Sequence, residues 1–228
     1  KLLNKVVNIK IMDHLSVDNL KKIKNEVYSK KKNCEIIAVS KTFNLEKIQP
    51  LIDHGHRHFG ENKVQEALDK WSNTKIAIKD IKLHMVGKLQ SNKVKHAIKI
   101  FDYIHSLDSM KLAKKIHEEQ LKIGKKLKIF IQINLENEKQ KSGIDSSELM
   151  NLYNYSIKDL DLNIIGLMCI PPINLKPRDA FHTMKDLNTK IGFKDLSIGM
   201  SSDYLDAIDF DATFIRIGSK IFGERNIK

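Results

Sequence analysis

The sequence predicts a single (β/α)8 TIM barrel preceded by one extra N-terminal helix. Three observations predict it. Eight short apolar runs recur along the chain, amphipathic stretches separate them, and successive runs start roughly 20 to 35 residues apart, the repeat expected of a strand–helix unit. An open doubly wound sheet is the alternative, but near-regular units favour closure. At 228 residues, with no proline-rich or glycine-rich linker, the chain reads as one domain, 1–228.

The first element is helical. In "LSVDNLKKIKNEVY" Leu15, Val17, Leu20, Ile23 and Val27 fall at helical spacing, with Ser16 as the cap. Residues 1–33 are therefore expected to pack on the barrel as a helical extension. The strands follow as "EIIAVS", "HRHFG", "KLHMVG", "DYIHSL", "KIFIQINL", "NIIGLMCI", "LSIGM" and "TFIRIG". Between them "LEKIQPLIDHG", "KVQEALDKW", "SNKVKHAIKI", "SMKLAKKIHEEQLKIG", "SSELMNLYNYSI", "AFHTMKDLNTKIG" and "DYLDAIDF" read as amphipathic helices. Trp71 is expected on the barrel's outer layer, and Met168 and Met200 as barrel filling.

Bulk properties exclude several functions. No apolar run approaches the roughly 18 residues of a membrane span, so no membrane partner is expected. Cys34 and Cys169 sit in apolar stretches and read as buried thiols of a cytoplasmic protein. The net charge is +12, yet arginine occurs only at 57, 178, 216 and 225, leaving 36 lysines spread along the chain. Specific nucleic-acid readers lean on arginine and exposed aromatics, so no specific nucleic acid is expected. The alternate His54, His56 and His58 lack a matching ligand spacing, and Asp206, Asp209 and Asp211 lack the glycine and glutamate of a calcium loop; neither set predicts a metal.

Active sites of such barrels form at the C-terminal strand ends. Here those ends are polar or glycine-bearing. Strand one gives Ser40 and Lys41, and strand two gives Glu61 and Asn62 at a helix start. Strand seven gives Ser201 and Ser202, and strand eight gives Gly218 and Ser219. The last two ends form a candidate phosphate cradle of helix N-termini and close backbone approach. A lysine facing a phosphate cradle is the equipment for a Schiff base, its amine favoured in the neutral form by burial and by a cation such as Arg216. The residues leave two readings open: a class I aldolase acting on a sugar phosphate, or a pyridoxal 5′-phosphate (PLP) protein.

"IIAVSKT", "FGENKVQEA", "HMVGKLQSNK", "QKSGI", "GLMCI", "LSIGMSSD" and "IRIGSKIFGER", in this order between about residues 35 and 225, closely resemble the pyridoxal phosphate homeostasis protein family (the YggS-like group). That resemblance implies the barrel of the alanine racemase N-terminal domain, PLP fold type III without the second β domain. It implies that Lys41 carries PLP as an internal aldimine and that Ser201, Gly218 and Ser219 hold the phosphate. It also implies that Arg216 faces the pyridine nitrogen, that Asn62 and Met85 neighbour the cofactor, and that Lys141 assists PLP exchange. The pattern departs at Phe43 and Asn44, after Thr42, and at Lys88 in a variable slot. PLP enzymes usually hold the ring nitrogen protonated with a carboxylate; an arginine there disfavours that form. With the chain ending at Lys228, soon after "FGER", and leaving no length for a second domain, the expectation is a monomeric PLP carrier or regulator. Its expected partners are PLP and PLP-dependent apoenzymes, and the alternative is a racemase-like or aldolase-like enzyme.

Overall fold

Eight parallel strands hydrogen-bond in chain order, and the last closes on the first. They are β1 (Glu35–Val39), β2 (His58–Glu61), β3 (Lys82–Met85), β4 (Tyr103–Leu107), β5 (Lys128–Ile133), β6 (Asn163–Cys169), β7 (Asp195–Met200) and β8 (Phe214–Ile217). The closing register sets Ile37 beside Arg216 and Ala38 beside Ile217. Helix α1 (Leu2–Lys30) precedes the barrel. The others follow their strands: α2 (Leu45–Asp53), α3 (Val64–Ala77), α4 (Val94–Ile100), α5 (Met110–Ile123), α6 (Leu149–Asn154), α7 (Pro177–Ile191), α8 (Tyr204–Asp209) and the single turn α9 (Ser219–Phe222). This computed structural model describes residues 2–31, 33–136 and 142–224, with side chains from residue 15 onward. Among the described residues no helix is long and apolar enough to cross a membrane.

Local chemistry places several ends. The Asn44 side chain accepts from Lys47 N and opens α2, and Ser109 accepts from Leu112 N and opens α5. Gly124 and Gly192 close α5 and α7 at φ 63° and 85°, where glycine carries no Cβ penalty. Strand alternation then divides the apolar side chains into two cores. The outer core, between strands and helices, takes Ile36, Ala38, Phe59, Trp71, Met85 and Ile104 among others. The barrel interior holds Ile37, Val39, Tyr103, Phe130, Met168 and Phe214.

Three expectations need correction. Ser16 is not a cap, because α1 runs through it and buries it; the packed face is Leu20, Ile23 and Val27, while Leu15 is exposed. Glu61 does not open a helix, because β2 extends one residue further and carries Glu61 as its last, fully buried member. The turn α9 was not anticipated, being too short to show periodicity. Helix α1 lies against α2, α8 and α9, with Asn19 Nδ2 donating to Ile221 O at 3.2 Å.

Strand β6 carries the tightest backbone approach. A Cβ built on Gly166 would lie 1.9 Å from Asp195 O on β7. Gly166→Ala must therefore push two neighbouring strands apart. The expected cost is about 3 kcal/mol or more, measured as a shift of the urea midpoint; an unchanged midpoint would contradict this packing.

Candidate functional site

The C-terminal rim opens into a cavity of about 490 Å³ lined by Val39, Lys41, Asn62, Met200, Ser201, Arg216, Gly218 and Ser219, with Val86, Ile170, Ser202 and Lys220 completing it. Of the seven cofactor positions singled out from sequence, six, Lys41, Asn62, Ser201, Arg216, Gly218 and Ser219, line this one cavity, and Met85 does not. Lys141 lies outside the described residues.

Lys41 follows β1 in a turn that is held from several sides. Ser40 N donates to Gly60 O at 2.9 Å, Thr42 N donates to Glu66 Oε1 at 2.5 Å, and Thr42 sits at φ 69°. Behind the turn, Glu61 Oε1 accepts from Ser40 Oγ (2.7 Å), Lys70 Nζ (2.9 Å) and Trp71 Nε1 (2.9 Å). Lys70 Nζ also donates to Ser40 O at 2.9 Å. Burial pushes the Glu61 carboxyl above its usual range, opposed by the Lys70 charge. The Glu61–Lys70 pair is thus a buried brace for the Lys41 backbone, pointing away from the cavity. Phe43 stacks near Phe222, ring centroids 5.0 Å apart, and so ties the same turn to α9.

Across the cavity, Ser201 Oγ accepts from Gly218 N at 3.2 Å and Lys220 N at 3.5 Å. These N–H groups belong to the start of α9, where no preceding helical carbonyl exists to take them. The cradle is a turn-and-helix-start arrangement rather than a long helix terminus: Ser201 and Ser202 precede α8, and Asp203 Oδ1 folds back to accept from Met200 N at 2.6 Å. Gly218 has φ −112°, open to any residue, and a Cβ there would meet only Val39 at ordinary contact distance. Its value is cavity space, not conformation.

Arg216 forms the floor. Its Nη1 donates to Ser197 O at 2.7 Å and to Ser197 Oγ at 2.8 Å, and its Nη2 donates to Cys169 O at 2.8 Å. Burial lowers its pKa. Asn62 is placed by Gly87, where a Cβ would lie 2.6 Å from Asn62 O. Met85 lies in the outer core, beside a second cavity that it shares with Asn62, Lys63 and Lys88, whereas Val86 lines the first cavity. Sequence reading missed Lys70 and Ser197. The signal for Ser197 was its interior parity on β7, and that for Lys70 was a lysine one position before Trp71 on a buried helix face.

The sequence profile described as "Alanine racemase, N-terminal domain" matches residues 15–226. A pyridoxal phosphate homeostasis protein of Aquifex aeolicus is 35% identical over 205 residues, covering 85% of this chain and 88% of that protein. The chain belongs to the pyridoxal phosphate homeostasis protein family. Its human member is 35% identical over 210 residues, covering 84% of this chain and 76% of that protein. Among solved structures of the family, PipY of Synechococcus elongatus with PLP bound superposes with a TM-score of 0.83 at 31% identity, covering 91% of this chain and all of PipY. Alanine racemase of Clostridium difficile superposes with a TM-score of 0.72 at 14% identity, covering 94% of this chain and 57% of the racemase, a likeness of fold.

Proposed function

We propose that this chain is a PLP-binding protein of cytoplasmic cofactor homeostasis, which holds PLP covalently on Lys41 and buffers it or delivers it to PLP-dependent apoenzymes. The barrel and its N-terminal helix act as one PLP-binding unit, working as a monomer. The observation that carries this reading is the shared cavity. An amine-bearing side chain, the Ser201, Gly218 and Ser219 rim and a buried guanidinium line about 490 Å³, a volume within the usual range for small cofactors. The bound state of PipY supports the same reading.

When bound, PLP would supply an aldehyde able to condense with a neutral amine with loss of water. The chain's own residues divide the remaining work. Lys41 provides the amine, held by the Ser40 and Thr42 backbone contacts. Ser201, Gly218 and Ser219 offer the hydroxyls and N–H groups that suit a dianion. Asn62 supplies a polar side chain to the wall, and Lys141 is proposed to assist exchange. Arg216 would donate to the ring nitrogen and disfavour its protonated form, which would leave a weak electron sink. Holding the cofactor is thereby separated from using it.

The test is paired. Protein loaded with PLP is mixed with a PLP-dependent apoenzyme, and the recovered activity is followed; the same loaded protein is assayed for racemisation of alanine. Expected are recovery of the apoenzyme and no racemisation above the Lys41→Ala background. Racemisation at an ordinary enzymatic rate, lost in Lys41→Ala, would overturn the carrier reading.

A further inference from the structure

Three imidazoles cross the barrel interior in single file. His58 on β2, His84 on β3 and His105 on β4 are spaced at hydrogen-bond distance: His58 Nδ1 to His84 Nε2 is 3.0 Å, and His84 Nδ1 to His105 Nε2 is 3.0 Å. His105 Nδ1 then lies 2.9 Å from Ser197 Oγ, the same oxygen that accepts from Arg216 Nη1. At the opposite rim His58 Nε2 faces the Glu35 carboxylate at 3.6 Å. His84 and His105 are fully buried and stacked on aromatic rings. The His84–Tyr103 centroids are 4.1 Å apart, and the His105–Phe130 centroids 4.4 Å. The ring planes are fixed by that stacking.

The donors in this file have one consistent order. A guanidinium only donates, so Ser197 Oγ accepts from Arg216. Ser197 is fully buried, and leaving its hydroxyl proton without an acceptor would cost the desolvation of a buried donor. Its neighbour in reach is His105 Nδ1, which must then be an acceptor. A neutral His105 carries its proton on Nε2 and donates to His84 Nδ1; His84 donates from Nε2 to His58 Nδ1; His58 donates from Nε2 towards Glu35. A carboxylate only accepts, and although Glu35 at 3.6 Å lies just beyond hydrogen-bond distance it favours an N–H facing it, so the lower end agrees with the direction that Ser197 sets. The reverse order would set Ser197 Oγ between two donors and face Glu35 with a lone pair.

We propose that Ser197, His105, His84 and His58 are positioning residues for Arg216, forming a one-way hydrogen-bond chain of neutral Nε2–H imidazoles that fixes the guanidinium at the cavity floor. This rests on the reading that Arg216 meets the ring nitrogen of PLP. Each link polarises the next, so a hydroxyl that donates to His105 is a better acceptor for Arg216. Three of the five guanidinium N–H groups are taken by Ser197 O, Ser197 Oγ and Cys169 O. Among the described residues these three bonds leave guanidinium N–H groups over for a ligand, on a side chain held in one orientation. A Ser197→Ala chain keeps the fold-defining apolar contacts but frees one guanidinium donor and orphans His105 Nδ1.

The full-length protein labelled with ¹⁵N-histidine, without PLP and then loaded, gives the tautomers by two-bond ¹⁵N–¹H correlation. Expected at neutral pH are Nε2–H patterns for His84 and His105 in both states. An Nδ1–H or cationic ring at either position would overturn the chain. In parallel, Ser197→Ala should bind PLP about tenfold more weakly, the loss of roughly one hydrogen bond to a charged group, with its visible absorption band displaced. Ser197→Thr, which keeps the hydroxyl, should restore both. A Ser197→Ala protein that melts earlier yet binds PLP with wild-type affinity and absorption would assign the chain to stability alone and sink the proposal. If Ser197→Ala does not fold, the wild-type tautomers and the Ser197→Thr affinity and absorption decide. Wild-type protein that shows the Nε2–H patterns but captures no PLP would instead overturn the reading of the pocket, and the positioning role with it.

Discussion

Lys41→Ala is expected to fold normally and to lose covalent retention of PLP, weakening retention by two orders of magnitude or more, about 3 kcal/mol or above. The fold should tolerate the change because bonds of Ser40 N and O, Ser40 Oγ and Thr42 N, all of which Lys41→Ala leaves in place, anchor the turn. Residual binding should persist through the Ser201–Gly218–Ser219 cradle, since charge-assisted hydrogen bonds to a phosphate survive loss of the amine. Lys41→Arg separates charge from nucleophilicity. Guanidinium keeps the positive charge but is not deprotonated at ordinary pH, so this variant should retain the electrostatic attraction and still form no covalent bond. Dialysis followed by absorption measures both. Covalent PLP on Lys41→Arg would show that a different lysine is the acceptor.

The second large effect is acid sensitivity well above the carboxylate range. Burial holds His56 at about 3, next to Lys24 and Arg57. Burial also holds His84 and His105 well below their ordinary value, with His105, His58, His56 and Lys75 facing His84, and Arg216 facing His105. His58, facing Glu35, Lys82, Lys128 and Asp102, is lowered for the same first reason. In the unfolded chain each histidine takes its proton near pH 6.5. Below that pH the unfolded state binds protons that the folded state refuses, so stability falls as pH falls, by up to about 1.4 kcal/mol per pH unit for each such group. For His56, His84 and His105 together, each already half protonated at pH 6.5 in the unfolded chain, the loss between pH 6.5 and 5 reaches at most about 5 kcal/mol, comparable with the whole stability of many domains.

Two carboxyls offset part of this, since Asp108, like Glu61, is raised by burial. Glu61 is raised by burial, so its folded form binds a proton earlier than its unfolded form, and its contribution grows as pH falls. Glu66 and Asp211, lowered by their lysine partners, lose their contribution only as pH falls below the unfolded carboxylate value. The histidines therefore govern the window from pH 6.5 to 5. Urea unfolding at pH 7.5, 6.5 and 5.5 should give a steeply falling midpoint; a flat profile would mean that these rings ionise inside the fold.

The barrel was legible because its signal is repeated. Eight apolar runs set at strand-helix spacing survive an error at any one of them. The cavity wall was legible for a related reason: Lys41, Ser201, Gly218 and Ser219 stand where strands stop, and the fold gathers those stops at one rim. What failed were single-residue decisions about parity and boundaries. Ending β2 at Gly60 instead of Glu61 hid the brace with Lys70, because an ion pair between a strand end and a helix nine residues on has no sequence period. Strand parity, not motif position, decides which cavity a β3 residue lines: Val86 faces the cavity of Lys41 and Met85 the neighbouring one. The histidine file was hidden by treating "HGHRH" as one cluster. Its members diverge: His56 turns outward to His58 O at 2.8 Å, and His58 joins His84 and His105 from two later strands.

Borohydride reduction of the PLP-loaded protein, followed by peptide mass mapping, tests the central assignment most directly. The expected result is a yellow protein that loses its colour on reduction and carries one stable pyridoxyl-phosphate adduct, on the peptide containing Lys41. An adduct confined to any other lysine, or no adduct on a protein saturated with PLP, would contradict it.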